Sequence, residues 1–327
     1  MGSTKRISHL DALRAFAILY VVGFWHLSDY SPAFPSFDND IMLLITDCVL
    51  GLFVFVSGIL IASRYYLDDS LSVLNFYGRR FFRIYPMFFV ALTGYFITNI
   101  IPFSLYLKST FFLNIFLDQN LLTLWFVTML FVFYGATPLY LCSYSIRKSF
   151  YLTIIFFLTL LLIHHFTSFI DARLPKFLIP YVGGVITARN SSHQRILSYK
   201  CITWVLLIPL LFITLKINAI NNVYARLVMS DLAILLSIPV FWRLGYFFSK
   251  NIKEGTIYFL SYSSYAMYLI HRMLFKVAVH VYQPTTLVSS ILYLAGFVLT
   301  ITIALSYLFQ LFYDAMLRFL LLHLKTK

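Results

Sequence analysis

Most of this sequence consists of apolar runs that are long enough to cross a lipid bilayer. A hydrocarbon core about 30 Å thick needs a helix of roughly 17–25 residues. In lipid the backbone amides must be satisfied within the protein, which leaves helices or a closed barrel, and runs without strict alternation favour helices. The runs lie near residues 12–28, 43–63, 85–101, 121–142, 150–166, 174–188, 201–217, 229–248, 256–275 and 287–310. The sequence therefore predicts an all-α bundle of about ten transmembrane helices.

Composition and charge support this prediction. Only 11% of the residues are charged and 61% are hydrophobic, which is too little charge to cover a water-soluble domain. A net charge of +13 would suggest nucleic-acid binding in a soluble protein. Here most lysines and arginines fall in alternate loops, which the positive-inside rule places in the cytoplasm together with both termini. The loops are too short for a separate soluble domain, so we expect a single transmembrane domain over residues 1–327.

Two ionisable residues lie within the first apolar run. Ionisable groups in a membrane bundle are costly and indicate function by default, and we expect Arg14 near the cytoplasmic end and His26 near the outer end. A snorkelling arginine and a structural histidine are the alternative interpretations. The cysteines Cys48, Cys142 and Cys201 are scattered, so neither a disulfide framework nor a metal site is predicted.

A cluster of three arginines precedes the third apolar run. On a helix Arg79, Arg80 and Arg83 lie close to one another, and three guanidiniums are compatible if an anion binds among them. The alternative is an anchor for lipid headgroups.

Trp125 starts the fourth run, where an aromatic belt would also explain it. Tyr268 and His271 end the polar stretch from Ser261 to His271.

The order of these motifs resembles the acyltransferase type 3 family, the bacterial inner-membrane proteins that O-acetylate surface polysaccharides. The resemblance spans roughly residues 6 to 310. The matching segments are Leu10-Asp11-Ala12-Leu13-Arg14 through His26, Ser57-Gly58, Arg80-Phe81-Phe82-Arg83 with Pro86, Leu124-Trp125-Phe126, and Tyr268-Leu269-Ile270-His271.

The chain departs from the family pattern at three places. Eleven residues lie between Arg14 and His26, where the family usually has ten. At about 100° per residue, the two side chains would therefore point about 120° apart around the helix axis and would not share one face. A π-bulge would restore their common face. An acid often stands at the position of Gly51, and Asp47 is the nearest substitute here. The glutamate that some members carry soon after the tryptophan is absent.

The resemblance implies acetyl-CoA as donor, a glycan hydroxyl or lipid-linked sugar as acceptor, and no metal. It places the protein in a bacterial inner membrane. The expected partners are the lipid bilayer and the glycan, and no nucleic acid is expected. Whether the protein forms a homo-oligomer is left open. The implied catalytic residues are His26 as general base or transient acyl acceptor, Arg14, and Asp29 to orient the imidazole. The implied donor-binding residues are Arg79, Arg80 and Arg83, and the sugar-binding residues are Trp125, Tyr268 and His271. The main alternative is a transporter or flippase for a glycan or lipid-linked sugar, and a third is a non-catalytic scaffold.

Overall fold

The structure, a computed structural model, describes residues 7–35, 37, 39–117, 121–167, 169–217 and 222–325, and every regular element among them is helical. The α-helices are α1 (Ser8–Gly23), α2 (Asp40–Ala62), α3 (Ser70–Ile97), α4 (Phe103–Thr110), α5 (Trp125–Leu141), α6 (Ile146–Thr167), α7 (Arg173–Arg189), α8 (Ser191–Ser198), α9 (Lys200–Lys216), α10 (Val223–Asn251), α11 (Glu254–Val281), α12 (Leu287–Ser290) and α13 (Leu299–Lys325). Short 3-10 helices lie at Trp25–Asp29, Leu113–Phe116 and Leu122–Leu124, and a π-helical stretch, Ile291–Val298, joins α12 to α13.

The all-α prediction is confirmed, and each predicted apolar run falls mainly on helical structure, but the number of about ten membrane spans stays a prediction. By length and composition, six helices in the described part of the chain can cross a membrane: Ser8–Asp29, Asp40–Ala62, Leu122–Leu141, Ile146–Thr167, Ala225–Asn251 and Leu287–Phe319. A seventh is added if α8 and α9, which meet at 70°, form one broken span. Polar residues within α3 and α11 lower the mean hydropathy of those two helices, and α7 is only 17 residues long.

Helix α1 lies inside the bundle, in contact with α2, α10 and α11. Leu13, Ala17, Ile18 and Val22 along it are fully buried. This central position explains how a helix that carries an arginine keeps that side chain away from lipid.

Helices α2 and α7 cross at close range. A Cβ added at Gly58 would lie 2.3 Å from the Tyr181 carbonyl oxygen, and one added at Gly184 would lie 2.1 Å from the Phe55 carbonyl oxygen. Small residues of this kind let the backbones of membrane helices approach each other. By contrast, α6 lies at the periphery, where Ile155, Leu158 and Leu162 are exposed.

Candidate functional site

A cavity of about 600 Å³ opens between α1, α2, α3, α5, α11 and α13. Its wall contains four arginines and one aspartate: Arg14, Arg64, Arg80, Arg83 and Asp11. Hydroxyl and aromatic side chains, among them Ser57, Tyr134 and Tyr265, complete the lining. The cavity is therefore strongly positive inside an otherwise apolar bundle.

Arg80 projects into the cavity between two tyrosines. Its guanidinium carbon lies 4.9 Å from the ring centroid of Tyr65 and 5.8 Å from that of Tyr134. The Nε atom of Arg80 is buried and has no hydrogen-bond partner among the described residues. A buried donor of this kind can bind a ligand oxygen.

The structure separates the three arginines of the predicted cluster. Arg80 and Arg83 line the cavity, whereas the lining does not include Arg79, which is exposed. At about 100° per residue on a helix, Arg83 lies between the other two, about 40° from Arg79 and about 60° from Arg80. The cavity-facing side of α3 therefore includes Arg80 and Arg83 but not Arg79.

Arg64 is a cavity residue that we did not single out from the sequence. It follows α2, outside the spanning helices, and burial, together with the nearby Arg83 and Arg80, lowers its pKa below the ordinary value. Because neighbouring positive charges disfavour its charged form, a bound anion would relieve the repulsion. The available sequence signal was a basic residue directly after an apolar helix.

Arg14 connects α1 to α11 at the cavity wall. Its Nη2 donates to the Ser264 hydroxyl over 2.9 Å, and Nη1 lies 3.7 Å from Asp11 Oδ1. Ser261 in turn donates to Asp11 Oδ1 over 2.8 Å. The serines of the Ser261–His271 stretch thus hold the aspartate and arginine of the first motif in place.

His26 lies at the other end of the same segment but does not belong to α1. The α-helix ends at Gly23, and after Phe24 (φ −134°, ψ −65°) the chain forms the 3-10 helix Trp25–Asp29. The change of helix type re-aims His26, which is only 7% exposed. A π-bulge in α1 is therefore the wrong explanation for the extra residue, because over Ser8–Gly23 the helix is regular.

An arginine that follows the last predicted motif completes the surroundings of His26. Nη2 of Arg272 lies 3.0 Å from His26 Nδ1 and 2.8 Å from Asp29 Oδ2, and Asp29 Oδ2 lies 3.2 Å from His26 Nδ1. Nε of Arg272 donates to the Thr123 hydroxyl. Neither Arg272 nor Thr123 was predicted. The arginine could have been noticed because it adjoins His271 within an apolar run.

His271 is fully buried beside His26, with the ring centroids 5.2 Å apart. Its Nδ1 lies 2.9 Å from the Tyr268 carbonyl oxygen and 3.2 Å from the Met267 carbonyl oxygen. The Tyr268 ring, 6.1 Å from that of His271, also lines the cavity, and the Tyr268 hydroxyl donates to the Thr123 carbonyl. Tyr268 therefore lies between the positive cavity and the histidine pair.

A second cavity, of about 560 Å³, lies on the other side of this pair. Asp29 and Arg272, both in contact with His26, form part of its wall, together with Ser31, Asn99 and Lys276. Neither His26 nor His271 lines either cavity. The histidines thus form part of the partition between two polar spaces.

Trp125 lies outside both cavities. The Phe177 ring stacks on the Trp125 ring, with the centroids 6.0 Å apart. The Arg173 guanidinium carbon lies 4.0 Å from the Trp125 ring centroid. Arg173 is itself paired with the buried Asp171. A sugar stacking on this indole would compete with these contacts, and its role in sugar binding stays a prediction.

The missing acid at Gly51 has a packing explanation. A Cβ at this position would lie 2.3 Å from Ile234 Cγ2, so a carboxylate would require the Ile234 side chain or α10 to shift. Asp47 is paired with Lys176 and does not line either cavity. Asp47 is therefore part of a separate ion pair between α2 and α7.

Comparison with known proteins gives one match. A family model described as an acyltransferase domain matches residues 7–309, nearly the whole chain. No curated protein and no solved structure matches it.

Proposed function

This chain belongs to the acyltransferase type 3 family, and we propose that it transfers an acyl group, most simply acetyl, from acyl-CoA to a hydroxyl of a cell-surface glycan. Membership of this family implies a transferase of acyl groups, and the apolar helices point to a multi-pass membrane protein. The donor, the acceptor and the bacterial inner membrane are parts of the proposal.

The observation that carries the choice of donor is the positive cavity. Four arginines against one aspartate provide an excess of guanidinium, which matches the phosphate groups of CoA with paired hydrogen bonds. About 600 Å³ is also within the range of ligand pockets. Arg80 and Arg83 of the Arg-x-x-Arg motif, with Arg14 and Arg64, would hold the phosphates, whereas Arg79 stays outside the cavity.

The two ends of the first segment suit reactants that arrive from opposite sides. His26 lies twelve positions after Arg14, a rise of about 18 Å at helical spacing. We propose both termini in the cytoplasm and about ten spans, so that the positive cavity faces the cytoplasm. The acceptor then reaches the histidine pair through the second cavity, past Asp29 and Arg272.

The chemistry is the exchange of a thioester for an ester. The hydroxyl oxygen of the glycan forms a bond to the acyl carbon, the bond from that carbon to sulfur breaks, and the hydroxyl proton passes through the histidine pair to the CoA thiolate. A neutral imidazole suits this transfer because its ordinary pKa lies near neutrality. Tyr268 would need to turn aside, since it lies between the cavity and His271.

The family favours this function over the transporter or flippase, for which a nucleotide-sized positive cavity has no evident use. The decisive test is to compare surface glycans by mass spectrometry from cells with and without the gene. We expect a loss equal to the mass of one acyl group. Purified protein in nanodiscs should then release CoA from acetyl-CoA only when that glycan is present. Unmodified glycans in both strains, with no CoA release, would refute the proposed function.

A further inference from the structure

The two histidines between the cavities have different hydrogen-bond partners, and the partners determine which ring nitrogen carries the proton. We propose that His271 is the catalytic base and that His26 is the hydrogen-bond donor of the pair. This rests on the proposed acyl transfer and differs from the sequence-based expectation, in which His26 is the base. The argument depends on which groups can only accept and which can only donate.

The partners of His271 can only accept a hydrogen bond. Its Nδ1 lies 2.9 Å from the Tyr268 carbonyl oxygen and 3.2 Å from that of Met267, so Nδ1 carries the proton. The neutral ring then has a bare lone pair at Nε2. This atom is buried and has no partner among the described residues. A buried acceptor without a partner is unfavourable unless a bound group donates to it.

His26 Nδ1 has two partners: Arg272 Nη2 can only donate, and Asp29 Oδ2, 3.2 Å away, can only accept. Nη2 of Arg272 lies 3.0 Å from His26 Nδ1, and a guanidinium has no acceptor. If Nδ1 carried a proton, two donors would face each other at this distance. The Arg272 contact is the shorter of the two, and Asp29 Oδ2 already accepts from the same Nη2, so we assign the proton of the neutral His26 ring to Nε2.

Asp29 fits the same assignment. Its Oδ2 accepts from Arg272 Nη2 over 2.8 Å, so one nitrogen of the guanidinium supplies hydrogens to both Asp29 and His26. The Nε atom of Arg272 is fixed by the Thr123 hydroxyl. Asp29 thus orients the arginine, and Arg272 is a positioning residue that sets the His26 tautomer.

The pair then offers one donor and one acceptor side by side, with ring centroids 5.2 Å apart. The acceptor hydroxyl gives its proton to His271 Nε2 while its oxygen forms the bond to the thioester carbon. The carbonyl oxygen of the thioester, which becomes negative, accepts a hydrogen bond from His26 Nε2. When the carbon–sulfur bond breaks, the CoA thiolate takes the proton from His271, and both rings return to their starting state.

The kinetic test compares glutamine and alanine at both positions, using the full chain in nanodiscs, acetyl-CoA and the acceptor glycan. A glutamine amide can donate but cannot act as a base at neutral pH. We expect His26→Gln to keep kcat/KM within about tenfold and His26→Ala to lose about a hundredfold or more, the usual effect of removing one such donor. His271→Gln and His271→Ala should both lose about a hundredfold to ten-thousandfold, the usual contribution of a general base.

The opposite pattern, with His271→Gln active and His26→Gln as inactive as His26→Ala, would overturn the assignment. A wild-type protein that releases no CoA with any glycan would instead refute the proposed function. These failures are therefore distinguishable.

A second test does not depend on activity. In protein labelled with ¹⁵N-histidine, NMR distinguishes bare from protonated ring nitrogens, and the His26→Gln and His271→Gln variants assign the signals. We expect a bare Nδ1 on His26 and a bare Nε2 on His271 in the neutral rings. Arg272→Met should move the His26 proton to Nδ1, where Asp29 accepts it, and leave His271 unchanged. A protonated His26 Nδ1 in the neutral wild-type ring would contradict the proposal.

Discussion

The Arg14 guanidinium donates to the Ser264 hydroxyl over 2.9 Å, which joins the first and eleventh α-helices at the wall of the positive cavity. The two residues are 250 positions apart in the sequence. Ser264 also donates to the Ser261 carbonyl, so the serine is held in a fixed orientation. The arginine of the first motif is therefore positioned by the last one.

Replacing Ser264 with alanine should weaken acyl-CoA binding, because Arg14 loses the group that holds its side chain in the cavity. Loss of one hydrogen bond to a charged group costs about 1.5–3 kcal/mol, which corresponds to an increase in Kd of about tenfold to a hundredfold. Isothermal titration with acetyl-CoA in nanodiscs measures this. Ser72→Ala, at the exposed start of α3, is the control that should leave the Kd unchanged. An unchanged Kd for Ser264→Ala would remove this serine from donor binding.

The arginine cluster offers a matched pair of substitutions. Arg83→Ala removes a guanidinium from the cavity wall and should raise the Kd for acetyl-CoA by about tenfold or more, since charge-assisted hydrogen bonds are the strong ones. Arg79→Ala removes the same charge from a neighbouring position outside the cavity and should change the Kd little. Equal effects of the two variants would indicate a general electrostatic attraction of acetyl-CoA to this basic region and not binding within the cavity.

Replacing His26 with alanine should reduce acyl transfer by about a hundredfold or more. Acetyl-CoA should still bind, because His26 does not line the positive cavity. CoA release in the presence of the glycan measures the first effect, and titration measures the second. Lys216→Gln, an exposed position at the end of α9, is the control that should leave both unchanged. Arg173 is unsuitable for this purpose because it covers Trp125. Full activity of His26→Ala would exclude this histidine from the reaction.

The crossing of α2 and α7 predicts a stability effect without any assumption about function. Gly184→Ala would place its Cβ 2.1 Å from the Phe55 carbonyl oxygen, so the helices must separate and the thermal midpoint should fall by several degrees. Gly135→Ala adds a Cβ that meets no described atom within 4 Å, and it should leave the midpoint the same or slightly higher. Differential scanning fluorimetry in detergent compares them. A midpoint unchanged by Gly184→Ala would contradict this close packing.

Much of the candidate site was predictable because its residues are polar and lie in apolar helices. Arg14, Arg80 and Arg83 were identified from charge and spacing, and all three line the cavity. Arg79 was included because spacing within a helix does not indicate which side of the helix faces the cavity. Arg272 and Thr123 were missed because their role arises only from contacts with residues distant in sequence.

The sequence by itself determined that the chain is helical and belongs to a membrane, because lipid allows no unsatisfied backbone and few charges. It also identified candidate functional residues, because ionisable side chains within apolar helices are costly in a membrane. Only the tertiary structure decided that α1 ends at Gly23 and presents His26 on a 3-10 helix, and that Arg272 donates to His26 while carbonyls accept from His271. The physical reason is that neighbours in space set the orientation of a side chain and which of its atoms carries a proton. Those neighbours lie on other helices, and a local sequence pattern does not specify how the helices pack.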